Sequence, residues 1–106
     1  MWEVYKNTLQ IVEGDFGLSL PFDIKGTTIS ASDTLRFTFK DKMNGETILT
    51  KEYTNIQQNS ASLEFTEAES ALFPVGDYVY SLDWYQGGVF MGNLIKCNPF
   101  KVVEKA

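Results

Sequence analysis

The chain has 106 residues, 43% hydrophobic and 22% charged, with a net charge of −5. That suffices for one domain spanning residues 1–106 with one core, and it is too apolar for general disorder. Its 9 Lys and Arg residues are scattered along an acidic chain, which argues against nucleic acid and anionic membranes as partners, and no apolar run nears the roughly 18 residues of a transmembrane helix.

Along the chain the dominant hydrophobic period is two. The opening "WEVYKNTLQIVEG" is polar and mixed, so no secretory signal peptide is expected. It reads as one or two strands ending at the turn Glu13-Gly14-Asp15. In "FGLSLPFDIK", Phe16, Leu18, Leu20, Phe22 and Ile24 fall on one face and polar or small residues on the other, the pattern of a half-buried strand. Pro21 lacks an N–H, which places this strand at a sheet edge or at a bulge. "TLRFTFKD" repeats the alternation, with Leu35, Phe37 and Phe39 inward and Arg36, Thr38 and Lys40 outward. Asn44-Gly45 supplies the two left-handed residues of a tight hairpin. "ETILTKEYT" returns as a less cleanly patterned strand, and "ASLEFT" is a short one through Leu63 and Phe65.

One helical piece interrupts the strands. Thr66 and Glu69 have capping-box spacing, and Pro74 and Gly76 limit the helix to one or two turns near residues 67–72. Strand 77–86, the turn Gly87-Gly88, strand 89–96 and a last strand from about Phe100 to Val103 complete the chain. Seven or more short strands with turn signals between them make the expected fold an all-β antiparallel sandwich.

The residues offer little chemistry. With no histidine a Ser-His-Asp triad is impossible, and with one cysteine a metal site would have to come from clustered carboxylates. Cys97 reads as a semi-buried small apolar residue, since no histidine is present to activate its thiol. Glu13 and Asp15, and Asp41 and Glu46, fit turns better than a calcium loop. Glu64, Glu67 and Glu69 are close in sequence, but Glu69 caps the helix and Glu64 alternates with inward neighbours. The expectation is therefore a non-enzyme with no catalytic residues, no cofactor and no metal. The unpaired cysteine and unexceptional N-terminus fit an intracellular product or a particle assembled in the cytoplasm.

The aromatic segment "GDYVYSLDWYQGGVF" divides by parity. Tyr78, Tyr80, Leu82 and Trp84 face the core. Tyr78, following the helical corner, stands where a sandwich keeps a tyrosine that bonds back across the corner. A two-residue turn at Gly87-Gly88 sets Gln86 opposite Val89, Tyr85 opposite Phe90, Trp84 opposite Met91 and Tyr80 opposite Ile95. Met91 and Ile95 then join the core. The register also puts Asn93 on the core face opposite Leu82, which a bulge or a one-residue slip would relieve. The other face carries Val79, Tyr85, Phe90 and Leu94. This stripe is either a contact surface for another subunit or is covered by Trp2 or Phe100.

Three stretches carry a resemblance: "VEGDFGLSLPFDIKG", "SDTLRFTFKDK" and "LEFTEAESALFPVGDYVYSLDWYQGGVFMGNLIKCNPFKVVE". Over about residues 12–104 the chain is similar to the N-terminal domain of upper baseplate proteins of phages of low-GC Gram-positive bacteria, and to related small tail-associated proteins. The resemblance implies an immunoglobulin-like sandwich and a non-enzymatic virion structural protein, assembled in the host cytoplasm. Its partners would be other phage structural proteins and copies of itself. Baseplate proteins continue into a long stalk-like region, so a free-standing head, neck or tail accessory module is the other form the resemblance allows. From a different class, a carbohydrate- or ligand-binding sandwich would use Trp84 or Tyr85 as its platform.

Overall fold

In a computed structural model of the chain, which describes residues 3–5, 8–16, 19–23, 29–42, 45–54, 56 and 60–104, most residues lie in strands. The elements are β1 (Glu3–Tyr5), β2 (Thr8–Val12), β3 (Ser19–Asp23), β4 (Thr34–Lys40), β5 (Thr47–Tyr53), β6 (Ser60–Glu64), α1 (Glu67–Ser70), β7 (Gly76–Gln86) and β8 (Val89–Val103). A six-stranded sheet has the order β1-β2-β8-β7-β4-β5, and β3 and β6 form a second, two-stranded sheet.

The large sheet is mixed, not antiparallel as alternation suggested. β2 runs parallel to β8, with Leu9 opposite Phe100 and Val12 opposite Val103, and the other pairings are antiparallel. Side-chain alternation is the same in both kinds of ladder, so the direction of β2 could not be read from it. At the end of β2 a turn over Glu13-Gly14 is closed by Asp15 N–H donating to the Val12 carbonyl, with Gly14 at φ 84°.

β4 is the clearest case of sequence dictating structure. Its inward Leu35, Phe37 and Phe39 are completely buried and the residues between them are not. Phe39 is the hub of the core, with ring centroids 5.2 Å from Phe100, 5.3 Å from Phe65 and 5.7 Å from Phe73. β7 adds Tyr80 and Leu82, β8 adds Ile95, Phe100 and Val102, and β2 adds Leu9 and Ile11. The small sheet contributes buried Leu63 and half-buried Phe22, whose ring lies 5.1 Å from Phe37. β3 holds Pro21 and pairs, among the described residues, only with β6, as an edge strand should. Phe16, expected inward, precedes β3 and is 51% exposed; Leu18 and Ile24 lie outside the described residues.

β4 and β5 pair antiparallel, with a bulge after Phe39. The bulge leaves Ile48 and Leu49 both half-buried, which accounts for the blurred alternation of β5. The turn between them closes with Gly45 N–H on the Lys42 carbonyl. Asn44 lies outside the described residues, and Gly45 is not left-handed as expected. Its need is closeness: a Cβ there would come within 2.9 Å of the Lys42 carbonyl oxygen.

The capping box forms as the spacing predicts. Thr66 Oγ1 accepts from Glu69 N–H, and Glu69 Oε1 accepts from Thr66 N–H. α1 is a single turn, 67–70, rather than 67–72, and a tight turn carries the chain on to buried Phe73. Tyr78 then donates its hydroxyl to the Pro74 carbonyl at 2.6 Å, the corner bond its position foretold.

β8 departs most from expectation. Segments 89–96 and 100–103 are one continuous strand. Pro99, which suggests a break, sits just before the parallel pairing with β2 begins at Phe100, so no ladder bond to that side needs its missing N–H. Gln86 faces Val89 and Tyr85 faces Phe90 as expected, but three register shifts follow. Trp84 faces Gly92 instead of Met91, Leu82 faces Ile95, and Tyr80 faces Asn98. Each bulge adds a residue to β8 and flips its parity. Met91 is therefore 44% exposed rather than in the core, while Ile95 stays buried. The bulges also remove the Asn93 conflict: Asn93 faces Asp83 and donates its side-chain amide to that carboxylate.

Candidate functional site

The outward face of β4, β5, β7 and β8 is more polar than the predicted stripe. Thr38 stands beside Ser81 and Arg36 beside Asp83. Arg36, Thr38, Thr50, Glu52, Ser81 and Asp83 line a shallow depression. These groups separate the four predicted contact residues. Val79 is half-buried and lines a second shallow depression with Lys96 and Cys97. Leu94 is a bulge residue packed against the core, not part of an outward stripe. Only Tyr85 and Phe90 meet, edge to face with centroids 5.6 Å apart.

That pair belongs to a row that sequence parity did not reveal. The Arg36 guanidinium lies 4.5 Å from the Tyr85 ring centroid, and its Nη1 donates to the Tyr85 hydroxyl at 3.0 Å. Its Nε and Nη2 both donate to Glu52 Oε2, at 3.1 and 2.8 Å. The hydrogen bonds to Glu52 hold the Arg36 pKa above its ordinary value. Glu52, Arg36, Tyr85 and Phe90 thus form a continuous chain across β5, β4, β7 and β8. The signal available in sequence was the outward position of Arg36, but its partner on β5 is hidden by the bulge after Phe39.

Beyond Tyr85 the surface becomes apolar. Val89, Phe90 and Met91, at the start of β8, are 63%, 52% and 44% exposed. Gly87 and Gly88, at φ 55° and 82°, make the turn that projects them. Exposed apolar side chains also occur as Leu72 and Val75 near the start of β7. Of the two proposed covers, Phe100 is buried in the core on the opposite face, and Trp2 lies outside the described residues.

Asp33 is a second feature that sequence reading missed. It is 1% exposed, and its Oδ2 accepts from Ser30 N–H, Trp84 Nε1 and Gln86 Nε2 at 3.0, 2.9 and 3.4 Å. Burial pushes its pKa up, but these hydrogen bonds outweigh burial and hold it below the ordinary value.

The other carboxylates weighed from sequence lie at turns, in the helix cap or at the surface. Asp41 and Glu46 lie at the β4–β5 turn, where Asp41 N–H donates to the Glu46 carbonyl. Glu69 is bonded by Lys51 Nζ at 2.7 Å as well as capping α1. Burial raises its pKa, and Lys51 and Thr66 more than reverse this. Glu64 and Glu67 point to solvent. Among the described residues no three His, Cys, Asp or Glu side chains cluster as a metal site, and no helix is long and apolar enough to cross a membrane. Cys97 is half-buried. No family model, curated protein or solved structure matches the chain.

Proposed function

We propose that the chain is an immunoglobulin-like β-sandwich module of a phage or prophage particle, acting by protein–protein contact without catalysis. The observation that carries the contact role is the exposed tip of Val89, Phe90 and Met91, backed by Tyr85 and Arg36. Aromatic residues, Met and Arg are the types enriched where proteins bind one another.

For the sandwich, the support is the strand order β2-β8-β7-β4-β5, with β3 and β6 contributing Phe22 and Leu63 to the same core. The Tyr78–Pro74 bond at the entry to β7 adds to it. The phage assignment rests on the sequence resemblance. A sugar platform fits the aromatic geometry less well. Trp84 is packed against the core with its N–H engaged by Asp33, and the Arg36 guanidinium lies over the Tyr85 ring.

Mass spectrometry of purified particles induced from the source strain tests the assignment; the chain is expected among the structural proteins, and its absence from intact particles overturns it. Sedimentation of the wild type and of F90D over a concentration series tests the contact role. Self-association weakened by F90D is expected. A strict monomer that captures no particle protein, together with binding on a glycan array, overturns protein contact in favour of ligand binding.

A further inference from the structure

We infer that Asp33 is a positioning residue for the β7–β8 tip, acting through Trp84 and Gln86 to fix how Val89, Phe90 and Met91 are presented. The β4–β7 ladder ends at the pair Thr34–Tyr85. One residue further, pairing with β4 no longer supports β7, and there the Asp33 carboxylate takes the Gln86 side chain instead. The same oxygen holds Trp84, two residues earlier on the same face of β7.

The carboxylate is itself anchored. Asp33 N–H donates to the Ser30 carbonyl and Ser30 N–H donates back to Asp33 Oδ2, closing the turn that leads into β4. This turn follows Ile29, which is buried in the core.

The tip needs such support because its own ladder is short. Past the register shift between Trp84 and Tyr85, only the pairs Tyr85–Phe90 and Gln86–Val89 remain before the glycines. A two-stranded ribbon of that length is not stable by itself. The chemistry of the support is specific. Three neutral donors converge on one oxygen, and the negative charge of a carboxylate makes these hydrogen bonds stronger than a neutral amide oxygen would. A buried carboxylate is costly where packing alone is needed, so its presence at this point marks a demand for those hydrogen bonds.

The functional sense of this positioning rests on the tip being the contact surface, but the test needs no partner and so fails separately from that reading. Amide and indole hydrogen exchange is measured by NMR on the free wild type, D33N and W84F, the last serving to assign the Trp84 indole. In D33N the Trp84 indole resonance is expected to move, and the protected amides of residues 85–91 to exchange about tenfold faster. Amides of the β2–β8 ladder keep their rates. Unchanged tip exchange overturns the inference, as does acceleration by the same factor in the β2–β8 ladder, which would make Asp33 a general stabiliser. Should D33N fail to fold, Q86A removes the outermost donor from an exposed side chain; faster exchange confined to the tip supports the inference, and unchanged exchange there overturns it.

Discussion

Removing one phenyl ring from either of two phenylalanines should have very different consequences. Phe39 is completely buried and its ring lies near those of Phe37, Phe65, Phe73, Tyr80 and Phe100. Phe39→Ala opens a cavity bounded by other rings, which sit on β4 itself, on β7 and β8, and in the segments before and after α1, and cannot all move in to fill it. The expected cost is at the upper end of the range for buried Phe→Ala, about 4–5 kcal/mol. That is a large part of the roughly 5–15 kcal/mol that holds a domain of this kind. Phe90 is 52% exposed and meets one ring, Tyr85. Phe90→Ala should cost about 1 kcal/mol, the worth of one edge-to-face pair with little burial behind it. Urea unfolding followed by far-UV circular dichroism measures both, with the slope m checked for constancy. Equal losses in the two variants, or a Phe39→Ala loss under about 1.5 kcal/mol, would refute the placement of the core on the Phe39 side of the large sheet.

Further outcomes follow from single groups. Tyr78→Phe deletes the corner bond to the Pro74 carbonyl; because Pro74 is exposed and its carbonyl can turn to water, the loss should be about 1 kcal/mol, and an unchanged unfolding midpoint would show that the corner contributes nothing. Burial pushes the Tyr80 hydroxyl from 10.0 up to about 12. The fold thus favours neutral Tyr80, so its contribution is complete below pH 10 and is lost as pH rises through about 12; Tyr80→Phe should flatten this alkaline decline in a series of melts. Glu69 behaves oppositely, since its pKa is held below 4.5. Its contribution is present above that value and disappears as pH falls through the lowered one, and Glu69→Gln should remove that part of the acid dependence.

How much of this was legible in the sequence depended on how local the cause was. The alternation of Leu35, Phe37 and Phe39, the Thr66–Glu69 capping box and the inward parity of Tyr80 and Leu82 are each set within a few residues, and each is seen in the structure. Met91 failed because parity was carried across the β7–β8 turn, and β8 slips by one residue three times. A bulge is a property of two strands together and leaves no mark in either alone. The partners of Arg36 and Asp33 were missed for a similar reason: Glu52 is 16 residues from Arg36, and Trp84 is 51 from Asp33. Of the stripe, the Tyr85–Phe90 pair was legible because it lies before the first bulge. Leu94 was not, because it lies after it.

The parallel seam between β2 and β8 has a consequence for how the chain can be made. On the side away from β1, residues 9–12 pair with residues 100–103, about ninety positions later. Joining ends so far apart delays that pairing, since chain closure must precede any gain from it. During synthesis β2 therefore waits, with β1 alone beside it, until residues 100–103 have left the ribosome. A translation product stopped short of Phe100 would hold β4, β5 and β7 yet leave Leu9 and Ile11 without the strand that joins them to those three, so the seam is the step that ties β1 and β2 to the rest of the sheet.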